Sequence, residues 1–119
     1  MGERAVQIDA LAPMRAPHPN ELDRRRIERA LKGRQRYLYV EPSVVPVAGG
    51  YRVESPCCSR NVDPDGGIVD VALIQFREGD WRLFRKDHGG GTWAFHSNFP
   101  RLGDLLALLN VDADRLFWQ

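Results

Sequence analysis

With 119 residues, 43% of them hydrophobic and 28% charged, the chain fits one ordinary globular domain. Its formal net charge of +1 supplies no general pull toward nucleic acid or an anionic membrane surface. No apolar run approaches the ~20 residues a membrane helix needs, and the N-terminus lacks the apolar core of a signal peptide, so the expected location is cytoplasmic, with no membrane partner.

Residues 1–19 carry Pro13, Pro17 and Pro19 and no sustained apolar period. That predicts a flexible N-terminal arm ahead of a single α+β domain over 20–119. A helix is expected from Asn20, a good N-cap, with Glu21 and Asp23 in the first turn, where the helix dipole favours negative charge. Ile27, Ala30 and Leu31 share its apolar face, and Gly33 suits its end. The opposite face holds Arg24, Arg25, Glu28, Arg29 and Lys32; over 20–36, seven basic side chains stand against three acidic ones.

The period then changes to two. Tyr37–Val40 is rich in strand formers, while Pro42 and Pro46 mark 42–46 as an edge or an irregular crossover. Gly49-Gly50 signals a turn into the alternating Tyr51–Glu54, and 55–67 reads as a long loop. Over Ile68–Phe76, Val69, Val71 and Leu73 point one way and Ile68, Ala72, Ile74 and Phe76 the other. Apolar residues on both sides predict a central strand covered on both faces or nearly so. Glu78-Gly79-Asp80 and Asp87–Gly91 are turns, which makes 68–96 a three-strand antiparallel meander. Within 81–86, Trp81, Leu83 and Arg85 share one face, and Phe84 lies between Arg82 and Lys86 on the other.

A second helix is expected from near Pro100, with Ser97 or Asn98 as cap. Leu102, Leu105, Leu106 and Leu109 form its core stripe, and Asn110 ends it. The tail Leu116-Phe117-Trp118 is too apolar to hang free. The fold class is therefore α+β: an antiparallel sheet of about 4–5 strands packed by an N-terminal and a C-terminal helix. Strand order does not follow from the sequence.

The groups capable of chemistry concentrate between Cys57 and His96. Adjacent cysteines make a strained disulfide, so Cys57 and Cys58 are expected as thiols. Cys57, Cys58, His88 and His96 are zinc ligands by type, but no C-x-x-C spacing joins them, and neither a metal nor a cofactor is expected. A phosphatase-type loop needs arginine six residues after its cysteine, where Asp63 follows Cys57. Asp63-Pro64-Asp65-Gly66 opens like a calcium loop without its later ligands, and Gly89-Gly90-Gly91 lacks the lysine and helix of a phosphate loop.

Cys58-Ser59-Arg60-Asn61-Val62-Asp63, Gly66-Gly67-Ile68-Val69-Asp70 and Trp81-Arg82-Leu83-Phe84-Arg85-Lys86-Asp87-His88 together resemble a small uncharacterised family of bacterial conserved hypothetical proteins, over about 55–118. The resemblance attaches no activity. It implies that Cys58 to Asp63 and Asp87-His88 matter together, and Cys57 has no clear place in it.

The expected function is that of a small non-catalytic module that binds or regulates another protein, because no complete catalytic or cofactor motif is present. Its candidate binding residues are Cys58, Arg60, Asn61, Asp63, Asp87 and His88. A first alternative is a thiol- or metal-dependent site on Cys58, Arg60 and His88. A second is single-stranded nucleic-acid binding through Arg24, Arg25, Arg29 and Lys32, joined by Arg82, Arg85, Lys86 and the aromatics Trp81, Phe84 and Trp93. In a purely structural reading Arg60 and Asn61 cap loop carbonyls, while Asp63 and Asp70 pair with arginines to pin the loop over the sheet.

Overall fold

The computed structural model describes residues 17–56 and 66–119. Helix α1 spans Glu21–Ala30 and runs into a 3₁₀ turn at Leu31–Gly33. Strands β1 (Ser43–Val47), β2 (Gly50–Pro56), β3 (Ile68–Arg77), β4 (Asp80–Asp87) and β5 (Thr92–Phe99) follow, and α2 (Leu102–Val111) closes the series. The five strands form one antiparallel sheet in the order β1-β2-β3-β4-β5, so the meander expected over 68–96 extends through the whole sheet.

Two-residue turns set much of the register. At the β3–β4 turn Glu78 and Gly79 both have positive φ, 54° and 84°, which matches the twist of a tight hairpin. Arg77 therefore faces Asp80, and counting outward places Phe76 opposite Trp81 and Ile74 opposite Leu83. At the start of β2 the backbones approach closely: a Cβ on Gly50 would lie 2.0 Å from the carbonyl oxygen of Ile74, so only glycine fits there.

All described helices lie on one face of the sheet. Tyr51, Val53, Ala72, Ile74, Trp81 and Leu83 bury their side chains against Ile27 and Leu31 from one end of the chain and Leu102, Leu105, Leu106 and Leu109 from the other. Two bulges adjust this face. Val53 pairs with Ala72 but Glu54 pairs with Asp70, which leaves Val71 as an extra residue in β3. Val71 is 2% exposed, so it and Ala72 both enter the core. In β5, Leu83 faces Ser97 and Phe84 faces Phe95, which leaves His96 as the extra residue; its ring rests on Phe117, 5.2 Å between centroids.

The bulge at Val71 corrects the alternation read over Ile68–Phe76, and the described helices cover the strand on one face, not on both. Tyr37–Val40 is also not a strand. Tyr37 has φ 58°, outside extended geometry, and the Arg34 guanidinium donates to the carbonyls of Leu31 (2.9 Å), Tyr37 (2.7 Å) and Val40, holding the segment as a turn. Pro46 lies in an edge strand, where a missing N–H costs no ladder bond. Helix α2 starts two residues after Pro100 with Arg101 as a cap that makes no side-chain bond, and it ends one residue beyond Asn110.

Both ends of the fold are tied by side chains that accept backbone N–H groups. Asn20 caps α1 by accepting the Asp23 N–H at 2.8 Å. The Tyr51 hydroxyl accepts the Asn20 N–H at 3.0 Å and lies 2.8 Å from His18 Nδ1; burial pushes its pKa up. The His18 ring packs 4.9 Å from both Phe76 and Trp81, so the chain already rests on the body before the helix cap. At the other end Asp112, with φ 44°, terminates α2. Its carboxylate accepts the N–H groups of Leu116 (2.9 Å), Phe117 (3.1 Å) and Trp118 (2.8 Å), which folds the tail back. Trp118 is then fully buried and donates from Nε1 to the Leu109 carbonyl at 2.9 Å.

Asp112→Ala leaves three backbone donors without their acceptor, two of them in buried bonds. Loss of buried hydrogen bonds to a charged acceptor predicts a destabilisation of about 3 kcal/mol, read as a lower urea midpoint. Asp112→Asn keeps one acceptor oxygen and tolerates the left-handed backbone, and is expected to lose less.

Candidate interaction surface

The face of the sheet opposite the helices carries no described element. Register places Val45, Arg52, Leu73, Phe84 and Phe95 side by side in a single row across all five strands. Leu73, Phe84 and Phe95 make the apolar part of that row. Phe84 and Phe95 meet edge to face at 5.6 Å, and Phe95, on the outermost strand, is 56% exposed.

Polar groups flank the row on both sides. Toward the β4–β5 turn, Asp70 takes Lys86 Nζ at 2.9 Å and Arg52 Nε at 3.4 Å, and Arg52 also reaches Glu54 at 3.1 Å. Lys86 Nζ lies 4.8 Å from the centre of the Trp93 ring. Two cations and two anions therefore neutralise one another. Asp70 does pair with an arginine, but the pair spans neighbouring strands. Toward the β3–β4 turn the flank is Gln75, Arg82 and Asn98, with Arg82 on Glu78 at 2.9 Å and Asn98 donating to Asp80 at 3.1 Å.

Of the residues singled out from the sequence, Cys58, Arg60, Asn61 and Asp63 lie outside the described residues, as does Cys57. Asp87 ends β4 and His88 opens the β4–β5 turn. Asp87 is occupied locally, its Oδ1 accepting the N–H groups of Gly89 (3.1 Å) and Gly90 (3.3 Å). The end of β2 and the start of β3, between which residues 57–67 run, lie at the same end of the sheet as this turn. Among the described residues no three His, Cys, Asp or Glu side chains come together as a metal site.

The basic helix is largely self-paired. Glu21 takes Arg24 at 2.8 Å and Arg25 at 2.9 Å, Glu28 takes Arg24 at 3.2 Å, and Asp23 takes Arg26 at 2.8 Å. The hydrogen bond from Arg24, followed by that from Arg25, lowers the Glu21 pKa from 4.5 to about 2, and Glu21 in turn raises that of Arg24. Arg29 and Lys32 form no ion pair among the described residues; they line a shallow groove with Arg24, Arg25 and Glu28. This helix sits across the sheet from Phe84 and Trp93, and Trp81 is only 7% exposed, so the basic residues and the aromatics do not form one continuous surface.

The row does not follow from the alternation of single strands, which sets Phe84 beside Arg82 and Lys86 and Leu73 opposite Ile74; counting outward from the two hairpin turns is the signal that aligns Leu73, Phe84 and Phe95.

The matching family model is described as a domain of unknown function (DUF3024), and it covers residues 15–119. The protein is thus an α+β domain built on a one-sided antiparallel sheet, and it belongs to the DUF3024 family. No curated protein and no solved structure matches the chain. No described helix is long and apolar enough to cross a membrane.

Because the Glu21 pKa is lowered in the folded state, its pairs with Arg24 and Arg25 contribute fully above pH 4.5 and are lost as pH falls toward about 2. A side-chain carboxyl NMR titration is expected to give Glu21 a midpoint near pH 2; a midpoint near 4.5 contradicts the pairing.

Proposed function

We propose that the protein is a small cytoplasmic, non-catalytic module that binds a protein partner through the open face of its sheet. One observation carries this reading: the apolar row Leu73, Phe84 and Phe95, ending in a phenylalanine that is 56% exposed, between flanks whose charges are already paired. An apolar centre inside a polar rim is the anatomy of protein–protein contact surfaces. The pre-formed ion pairs hold Arg52 and Lys86 in place, so little side-chain entropy is lost when a partner arrives. Nothing in the row offers a nucleophile or an acid–base pair.

A second reading keeps the thiol site of Cys58, Arg60 and His88. Its support is that the β2–β3 connection and the β4–β5 turn leave the same end of the sheet. A reactive Cys58 whose alkylation rate changes in His88→Ala would favour it.

The test of the first reading is capture of a partner by the wild-type protein and measurement of its affinity for a Leu73→Gln, Phe84→Gln variant. Loss of two apolar contacts at the centre of the surface is expected to weaken binding at least ~10-fold in a protein that stays folded by circular dichroism. Unchanged affinity in a folded variant, or catalytic turnover by the wild-type protein, overturns the reading.

A further inference from the structure

The two edges of the sheet differ. At one edge, β1 contains Pro46, which has no N–H to donate, and Arg24 approaches the Val44 carbonyl at 3.5 Å from α1. At the other, β5 runs for eight residues, Thr92–Phe99, with no Asp, Glu, Lys, Arg or proline in it. Alternate residues of an edge strand turn their N–H and C=O groups away from their single neighbour. No described residue hydrogen-bonds to that outer side of β5. Soluble proteins usually blunt such an edge with lysine, proline or a bulge. Among the described residues the only such device is the bulge at His96, which leaves Thr92–Phe95 as an unbroken run.

From this edge we propose that the protein forms a homodimer by antiparallel pairing of β5 with β5 of a second copy, giving a continuous ten-stranded sheet. Three features favour a second copy as the occupant. Two-fold pairing sets a strand against itself, where like charges in opposition are penalised, and β5 has no charge to oppose. Opposite residues of an antiparallel pair point to the same face, so pairing centred on Ala94 sets Trp93 of each copy opposite Phe95 of the other, on the open face. Both rings have apolar surface available: Phe95 is 56% exposed and Trp93 is half-buried under Lys86. The dimer also joins the two apolar rows end to end. The pairing uses the backbone edge of β5 and shares only Phe95 with the face proposed above to bind a partner.

An interface of one strand pair and two aromatic contacts lies at the small end of the stable range, so a concentration-dependent dimer is expected. The experiment is sedimentation velocity of the full chain over about 1–500 μM, combined with amide hydrogen exchange at both ends of that range. Wild type is expected to move from monomer to dimer, with outward-facing β5 amides gaining protection at high concentration and β1 amides unchanged. Phe95→Glu replaces an exposed ring by a charge facing Trp93 of the other copy, and is expected to weaken dimerisation at least ~10-fold. Val45→Glu, on the opposite edge, leaves the dimer intact. A wild-type protein that stays monomeric throughout overturns the proposal, and so does a dimer whose β5 amides exchange at the monomer rate. Should Phe95→Glu not fold, the wild-type exchange data decide. Because Leu73→Gln, Phe84→Gln alters the face and leaves β5 unchanged, loss of partner binding with the dimer intact separates this proposal from the preceding one.

Discussion

Two helices of ten residues have to close a sheet of five strands. Each helix is about 15 Å long and 10 Å wide. The sheet is roughly 19 Å across. Side by side, the two described helices are enough to cover one face. Everything else in the fold follows from how that single coverage is made secure. The largest apolar side chains of β2, β3 and β4 point to the helix face, the helices present Ile27, Leu31 and the leucines of α2 to them, and both ends of the chain are tied over the same core. Asp112 and Tyr51 do the tying by accepting backbone N–H groups, buried ones in the case of Phe117 and Trp118.

The same constraint explains the character of the other face. A sheet open on one side alternates apolar and polar residues along each strand, and β4 does so cleanly: Trp81 and Leu83 are buried, while Arg82, Phe84 and Lys86 face out. The face without a described element is not purely polar, however. Leu73, Phe84 and Phe95 fall in register across three adjacent strands, and an apolar row of that kind is where a partner gains most from desolvation. The ion quartet of Arg52, Glu54, Asp70 and Lys86 keeps the neighbouring charges satisfied whether or not the row is occupied.

Much of this architecture was legible in the amino acids, and the exceptions have physical causes. The N-cap at Asn20, the leucine stripe of the second helix, the returning tail and the β3–β4 hairpin each rest on local chemistry, and each is present. The bulges at Val71 and His96 were not legible, because inserting one residue into a ladder depends on the neighbouring strand and leaves no local signature. The face assignment of Val71 failed for that reason. Tyr37–Val40 misled because strand propensity is weak against a tertiary contact, here the Arg34 guanidinium gathering three carbonyls. Coverage of β3 on both faces followed from Val69, Val71 and Leu73 pointing away from Ile74; the bulge turns Val71 into the core, and Leu73 is a member of the row with Phe84 and Phe95. Cys58, Arg60, Asn61 and Asp63 lie outside the described residues, so what ties them to His88 is their chemistry and the shared end of the sheet from which the β2–β3 connection and the β4–β5 turn leave.

The central claim is that the described helices close one face of the sheet and that no described element covers the other. Solvent paramagnetic relaxation by a neutral, freely diffusing agent tests it most directly, read on side-chain resonances in a dilute sample. Phe95 should be strongly relaxed and the partly buried Leu73 and Phe84 relaxed to a lesser degree, while Ile74, Leu83 and Tyr51 on the opposite face should be protected. Equal protection of Leu73 and Ile74 would contradict the account, since it would mean that both faces are covered.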